Sequence, residues 1–177
     1  MGPVWGAAIA LSGVFLTQYL AYRFRKQDRS WRIADETRAR MVERGEELYT
    51  AIFNWNKALG THFIFYSQAM RGHISYNDAL DAVIAAGEKE NIKIDRMEMV
   101  LNIYFPDLAN QFEACRAIVQ AASAVEGEFR NLYRQNSGVD GEQHARRYQA
   151  LLLQSEKSLN ALLESLATEI RGISSAH

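Results

Sequence analysis

The chain opens with an uninterrupted apolar stretch, and apolar residues then recur at helical spacing along most of its length. From Met1 to Tyr22 there is no Asp, Glu, Lys or Arg. As an α-helix, residues 4–22 extend about 28 Å, which is close to the ~30 Å thickness of the hydrocarbon layer of a membrane. The pattern predicts a transmembrane helix over residues 1–24.

Aromatic and basic residues lie at the ends of this stretch. Amphipathic rings settle at membrane interfaces, and positive charge beside a span is retained in the cytoplasm. We therefore expect a single-pass protein of the bacterial inner membrane, with its N-terminus outside and its domain in the cytoplasm. A cleaved signal peptide is the alternative, but it requires the positive charge before the apolar core. The expected interfacial anchors are Trp5, Tyr19, Tyr22, Arg23, Arg25 and Lys26.

One face of the predicted span carries small residues. They recur every three or four positions, which lets two helix backbones approach closely and favours association in lipid. Because Gly and Ala are common in membrane spans in general, ordinary composition is the alternative explanation. We expect homo-oligomer packing through Gly6, Ala10, Gly13, Thr17 and Ala21.

The segment after the span is first charged and then strongly apolar. Residues 25–44 are expected to form a charged stalk at the start of a long helix, with arginines near anionic headgroups. Farther along, the helix becomes apolar on nearly every side, and such a helix is buried on every side. The residues expected in the core or in an oligomer contact are Phe53, Trp55, Phe63, Phe65 and Tyr66.

Two short helices are predicted next. Gly72 ends the long helix, and the capping box Ser75-x-x-Asp78 opens a short helix that stops at Gly87. A second box, Asp95-x-x-Glu98, opens another. Pro106 ends it, because the residue before a proline avoids helical geometry.

Two long amphipathic helices complete the pattern, over residues 107–135 and 142–171. The turn-forming residues 136–141 separate them. Short loops make neighbouring helices antiparallel. The predicted fold is therefore all-α: an N-terminal transmembrane helix, then an antiparallel bundle of three long helices over residues 45–177. A short two-helix insertion is expected to cap the far end of the bundle.

Composition excludes several classes of site. The net charge is −1, and the basic residues are interleaved with acids, so nucleic acid is not expected as a partner. With one cysteine, Cys115, the chain forms no internal disulfide and no cysteine-rich zinc site. At an apolar position of its helix, Cys115 is expected to be a small buried hydrophobe. No cofactor or metal is expected.

Polar residues at apolar positions are the remaining candidates for chemistry. His62 lies on the apolar face of the long helix. We expect it to be a hydrogen-bonded histidine of the core; the alternative is a metal ligand. Glu126 also stands where the pattern predicts an apolar side chain. We expect an ion pair with an arginine, across the bundle or from another subunit, with Val125 able to take the buried position. A functional acid is the alternative.

A run of short motifs extends through the first two-thirds of the domain: Glu47-Leu48-Tyr49, Gly72-His73-Ile74-Ser75-Tyr76, Arg96-Met97-Glu98-Met99 and Ile103-Tyr104-Phe105-Pro106. With these motifs, the chain resembles small bacterial single-span membrane proteins that carry a helical cytoplasmic domain. The resemblance implies the same layout and brings no catalytic residues. The layout is also similar to that of membrane accessory or effector proteins of anti-phage systems, including HEPN-like proteins that assemble as pores.

The leading hypothesis is a non-enzymatic, membrane-anchored helical assembly module that forms homo-oligomers. The resemblance adds the expectation of a membrane-perturbing or pore-forming effector or accessory protein of bacterial defence. Its expected partners are the lipid bilayer and further copies of the chain. One alternative is a HEPN-like ribonuclease, since Arg171 and His177 have the Arg-x5-His spacing. The other is a membrane platform on which a protein partner docks.

Overall fold

A computed structural model of the chain describes the backbone of residues 3–87, 92–135 and 140–175, with the side chains of residues 3–21, 24–28 and 30 left out. Every regular element in these ranges is helical, which confirms the all-α prediction. A 3₁₀ turn at Pro106–Leu108 links the third helix to the fourth. The five α-helices are α1 (Pro3–Met70), α2 (Tyr76–Gly87), α3 (Ile94–Tyr104), α4 (Ala109–Gln135) and α5 (Glu142–Ser175).

The chain divides into two compact units, Met1–Met41 and Val42–His177. The sequence pattern predicts the change from stalk to bundle after residue 44, close to this division. We refer to the second unit as the helical domain. Among the residues searched, which are those that the structure describes, no helix is both long and apolar enough to cross a membrane. The predicted span has almost all of its side chains outside the described residues.

In the first unit, the described side chains of α1 are exposed or nearly so. Trp31 is 61% exposed and Ile33 is 56% exposed. Arg38 and Asp35 form an i,i+3 ion pair at 3.7 Å. At such exposure this pair contributes little to stability.

Three cross-helix contacts show that α5 runs antiparallel to α1 in the helical domain. Asn56 Nδ2 lies 3.5 Å from Asn160 Oδ1, and Arg71 donates to Gln149 Oε1 at 2.7 Å. Near the start of the domain, Gly45 packs closely against Ile170. A Cβ atom added at Gly45 would lie only 2.6 Å from Ile170 Cγ1. Residue numbers therefore rise along α1 as they fall along α5.

Helix α4 runs in the same direction as α1. The rings of Trp55 and Phe112 lie 5.5 Å apart, and farther along both helices His62 contacts Glu126. The short insertion explains this parallel arrangement, because α2 and α3 follow one another back along the side of the bundle. Their 12 and 11 residues give about 34 Å of helix, close to the roughly 38 Å of α1 between Gly45 and Met70.

The predicted position of the insertion, as a cap on the far end of the bundle, is therefore wrong. Tyr76 of α2 packs beside Tyr66 near the end of α1, whereas Phe105, just after α3, packs with Leu48 near the start of the domain. Together α2 and α3 occupy the place of a fourth long helix. Their buried residues complete both apolar clusters of the core.

Local signals account for the connection between α1 and α2. Gly72 has φ 74°, the left-handed conformation that a helix C-terminus favours for glycine. The His73 N–H donates to the Gln68 carbonyl and the Gly72 N–H to the Ala69 carbonyl, as in a Schellman motif. The capping box is also confirmed: the Asp78 N–H donates to Ser75 Oγ, and the Ser75 N–H donates to Asp78 Oδ2.

The second predicted capping box does not form. Lys93 is the N-cap of α3 and provides no side-chain hydrogen bond, although its carbonyl accepts from the Arg96 and Met97 N–H groups. Asp95 lies in the first turn instead. A carboxylate there still stabilises the helix, because the N-terminal end carries a partial positive charge.

Candidate functional site

A histidine and a glutamate make a polar contact between α1 and α4. His62 Nε2 lies 3.0 Å from Glu126 Oε2, and the two side chains are 35% and 16% exposed. An imidazole and a carboxylate at this distance share a hydrogen bond. Among the described residues of the chain, Glu126 therefore pairs with a histidine on α1; the predicted arginine partner from another subunit stays a prediction. Val125, 2% exposed, takes the buried position beside it.

Three buried tyrosines lie around this pair. The ring of Tyr66 is 4.7 Å from the ring of His62 and 5.6 Å from that of Tyr76. Burial raises the pKa of Tyr66 and of Tyr148 far above the usual value of 10, and the charge of Glu126 adds to the rise. Both phenols therefore stay protonated at neutral pH and can donate hydrogen bonds.

A cavity of about 260 Å³ lies beside His62, between α1, the end of α2 and the start of α3. Among the described residues that line it, His62 is polar and the others are apolar. The His62–Glu126 contact links α1 to α4 beside this cavity.

Cys115 is fully buried between α4 and α5. Its Sγ lies 3.1 Å from Ser158 Oγ, and burial raises the pKa of the thiol above its usual value. Since the thiolate is the reactive form, Cys115 is an inert thiol at neutral pH. This environment fits the small buried hydrophobe that the sequence indicates.

A larger groove of about 640 Å³ lies between α1 and α3. Its floor is apolar, and Glu47 lies on its charged rim. Hydrogen bonding to Arg44, at 2.7 Å, lowers the pKa of Glu47, and Arg96 lies 3.4 Å away. In the described part of the chain, no group of three or more His, Cys, Asp or Glu residues is placed to hold a metal.

Large apolar side chains are exposed along the junction of α1 and α5. Phe53 is 53% exposed, Ile64 is 54% exposed and Leu153 is 60% exposed. Tyr49, on the same side of α1, is 36% exposed. We call these four residues the α1/α5 apolar line. Trp55, Phe63 and Tyr66 are buried and Phe65 is half-buried, so Phe53 alone among the five predicted core or oligomer contacts is exposed.

The residues predicted to act in the membrane lie mostly outside the described residues. Tyr22 and Arg23 have described side chains, and both are exposed. The small-residue face and the remaining interfacial anchors have no described side chains: Gly6, Ala10, Gly13, Thr17, Ala21, Trp5, Tyr19, Arg25 and Lys26.

The guanidinium of Arg171 bonds within its own helix. Its Nε donates to the Ala167 carbonyl at 3.1 Å, and its Nη2 donates to Thr168 Oγ1 at 3.3 Å. The second residue of the ribonuclease spacing, His177, lies outside the described residues. In this position the Arg171 side chain is an exposed group on the surface of α5.

The chain was compared with known protein families, curated proteins and solved structures. No protein-family model, curated protein or solved structure matches it. The α1/α5 apolar line and the His62–Glu126 pair are therefore interpreted from their own chemistry. The residues of the apolar line are exposed to solvent, whereas His62 and Glu126 are partly buried at the edge of the core.

Proposed function

We propose that this protein is a membrane-anchored helical module that self-associates. The N-terminal segment supplies the anchor: residues 1–22 carry no formal charge, and Arg23, Arg25 and Lys26 follow directly. This order of an apolar span and basic flanking residues favours a single-pass protein with its domain on the cytoplasmic side.

Self-association rests on one observation above all, the α1/α5 apolar line. Exposed apolar residues scattered singly are ordinary, whereas several aligned on one face favour a site of interaction. Phe53 and Ile64 lie eleven residues apart on α1, close to three full turns, and therefore share a face. Leu153 extends the same surface onto α5. The small-residue face of the predicted span supports contact between copies within the lipid.

The anchor is tested by deletion of residues 1–24. The parent chain is expected to stay in the membrane fraction after extraction with alkaline carbonate, while the deletion variant is released. A parent chain that carbonate releases completely would exclude a membrane-spanning anchor.

Packing of the span is tested by the double substitution Gly6→Ile and Gly13→Ile. The added side chains would separate the helix backbones and lower the oligomeric fraction in detergent. Val4→Ile and Ala8→Ile enlarge side chains on the opposite side of the helix and provide the matched control. If the Gly→Ile variant were as oligomeric as the parent chain, the small-residue face would have no part in assembly.

A further inference from the structure

The positive charge of the first unit is concentrated in the residues that follow the predicted span directly. Residues 23–33 contain five basic residues and one acid, which gives a net charge of +4. Residues 34–41 contain two basic and two acidic residues and are neutral as a group. The excess of positive charge therefore belongs to the part of α1 nearest to the predicted span. The five basic residues are Arg23, Arg25, Lys26, Arg29 and Arg32.

The extent of this charge matches the depth over which an anionic membrane surface acts. Since α1 is helical from Pro3 to Met70, distances along it follow from a rise of about 1.5 Å per residue. Arg32 is about 15 Å beyond Tyr22, where the charge-free stretch ends. The headgroup layer is about 5–7 Å thick, and charges act over about 8 Å beyond it at physiological salt. The five basic residues lie within this depth, whereas residues 38–40 lie about 24–27 Å beyond Tyr22.

On one side of this part of α1, basic residues lie next to exposed aromatic and aliphatic groups. At 3.6 residues per turn, Arg25, Lys26 and Arg29 fall within an arc of about 100°. Tyr22 and Ile33 fall within the same arc, and they are 66% and 56% exposed. Basic residues together with amphipathic or apolar ones are typical of a helix side that meets lipid headgroups.

The one acid of residues 23–33 falls outside this arc. Asp28 precedes Arg32 by one turn, which is the spacing of an ion pair along a helix. An ion pair at that spacing leaves the charges of Arg25, Lys26 and Arg29 in place. The arc therefore keeps its positive charge whether or not Asp28 is paired.

We infer that this side of α1, which carries Arg25, Lys26 and Arg29 and which we call the basic face, binds the headgroups of anionic phospholipids. The ligand is a phosphate diester with a net negative charge, as in phosphatidylglycerol. In phosphatidylcholine the phosphate is neutralised by the lipid's own ammonium group. The inference rests on the proposed function, since the span must hold residues 23–33 at the membrane surface. It goes further by naming the lipid class, and it limits the headgroup contact to residues 23–33.

The lipids in contact with the full chain can be measured directly by electron spin resonance. The chain is reconstituted into phosphatidylcholine vesicles that contain a trace of phosphatidylglycerol or phosphatidylcholine with a nitroxide on its acyl chain. Lipid at the protein surface gives a motion-restricted signal, which measures how often each lipid contacts the protein. Phosphatidylglycerol is expected to contact the parent chain at least about threefold more often than phosphatidylcholine.

Two matched triple variants test where the preference arises. The first carries Arg25→Gln, Lys26→Gln and Arg29→Gln, and its preference is expected to fall below about 1.5-fold. Arg23 and Arg32 remain, so positive charge still follows the span. The second carries Arg38→Gln, Arg40→Gln and Arg44→Gln. It loses the same amount of charge farther along the helix and is expected to keep the preference of the parent chain.

Salt provides a test that needs no substitution. Raising the salt concentration from about 0.15 M to about 1 M shortens the screening distance from about 8 Å to about 3 Å. The preference of the parent chain for phosphatidylglycerol is therefore expected to fall toward that of the first triple variant. A preference that is unchanged at high salt would contradict a charge contact at the exposed basic face.

The outcomes separate this inference from the proposed function. A preference that is kept in the control and lost in the first triple variant supports the basic face. Equal contact of the two lipids with the parent chain overturns it and leaves the anchor standing, and an acidic protein would then be the partner to test. An equal loss in both triple variants also overturns it, because position along the helix would not matter. The absence of motion-restricted lipid of either kind overturns both the inference and the anchor.

Discussion

At the scale of single residues, two polar contacts at or near the core join different helices, whereas His144 Nδ1 is buried without a hydrogen-bond partner among the described residues. Glu126 is paired with His62 at 3.0 Å, and Cys115 with Ser158 at 3.1 Å. Burial of a polar group without a partner costs about 1–3 kcal/mol, so these contacts hold the relative positions of α1, α4 and α5. Tyr66 belongs to the same set, because it hydrogen-bonds with Tyr76 and Glu126.

The buried tyrosines predict loss of stability in alkali. In the unfolded chain Tyr148 ionises near pH 10, while in the folded domain its raised pKa keeps it neutral. The unfolded state then binds fewer protons, and the free energy of unfolding falls as pH rises above 10, by about 1.4 kcal/mol per pH unit for each such tyrosine. Tyr148→Phe should therefore reduce this slope, measured by urea unfolding between pH 9 and 11.5. An unchanged slope would mean that Tyr148 ionises equally in both states.

Gly141 tests how closely the start of α5 packs on the end of α1. A side-chain carbon there would press on the Met70 carbonyl oxygen and lie 2.6 Å from Phe129 Cε2. Gly141→Ala is therefore expected to lower the free energy of unfolding by about 1–3 kcal/mol. Gly127→Ala on α4 is the control, because its carbon meets nothing within 4 Å and is expected to add up to about 1 kcal/mol. Equal effects of the two substitutions in thermal unfolding would refute the close contact.

At the scale of the elements, the boundaries follow from signals only a few residues long. The capping box of Ser75 and Asp78 opens α2, and Gly72 ends α1, as their sequence contexts predict. The box at Asp95 fails because Lys93 already begins the helix through its carbonyl. Local chemistry therefore predicts where helices lie and is less certain about the first residue of each.

The sequence predicts the boundaries of the helices better than their arrangement. Short loops indicate that successive long helices are antiparallel. However, α1 and α4 run parallel, because α2 and α3 lead the chain back between them. The pairing of His62 with Glu126 depends on that parallel arrangement. Both residues were recognisable as polar groups at apolar positions, but no local pattern shows that they face each other.

Ser75→Ala tests the contribution of the capping box to the stability of the domain. Removal of the hydroxyl leaves the Asp78 N–H without its acceptor at the start of α2. The free energy of unfolding is expected to fall by about 1 kcal/mol in chemical denaturation. Ser123→Ala, which removes a hydroxyl bonded to its own helix at the Val119 carbonyl, is expected to change stability by less than about 0.5 kcal/mol. A loss no larger than that of the control would contradict a capping role.

At the scale of the whole molecule, the proposed self-association rests on two surfaces. The predicted span has a small-residue face, and the helical domain exposes the α1/α5 apolar line. The sequence predicted burial on every side for the stretch of α1 from Phe53 to Tyr66. Trp55, Phe63 and Tyr66 are buried within one chain, whereas Phe53 and Ile64 are exposed. The sequence pattern shows which positions are apolar. It does not show whether an apolar side chain is buried within its own chain or against another chain.

The central claim is that the protein works as an assembly of several copies held in a membrane. The most direct test is the number of chains per particle after the full chain is reconstituted into lipid nanodiscs of excess capacity, counted by native mass spectrometry. The account predicts two or more chains in most occupied particles, and a lower number for the variant with Phe53→Ser and Ile64→Ser. Ile103→Ser, at an exposed apolar residue of α3, should leave the count unchanged. A single chain in every occupied particle of the parent protein would contradict the account.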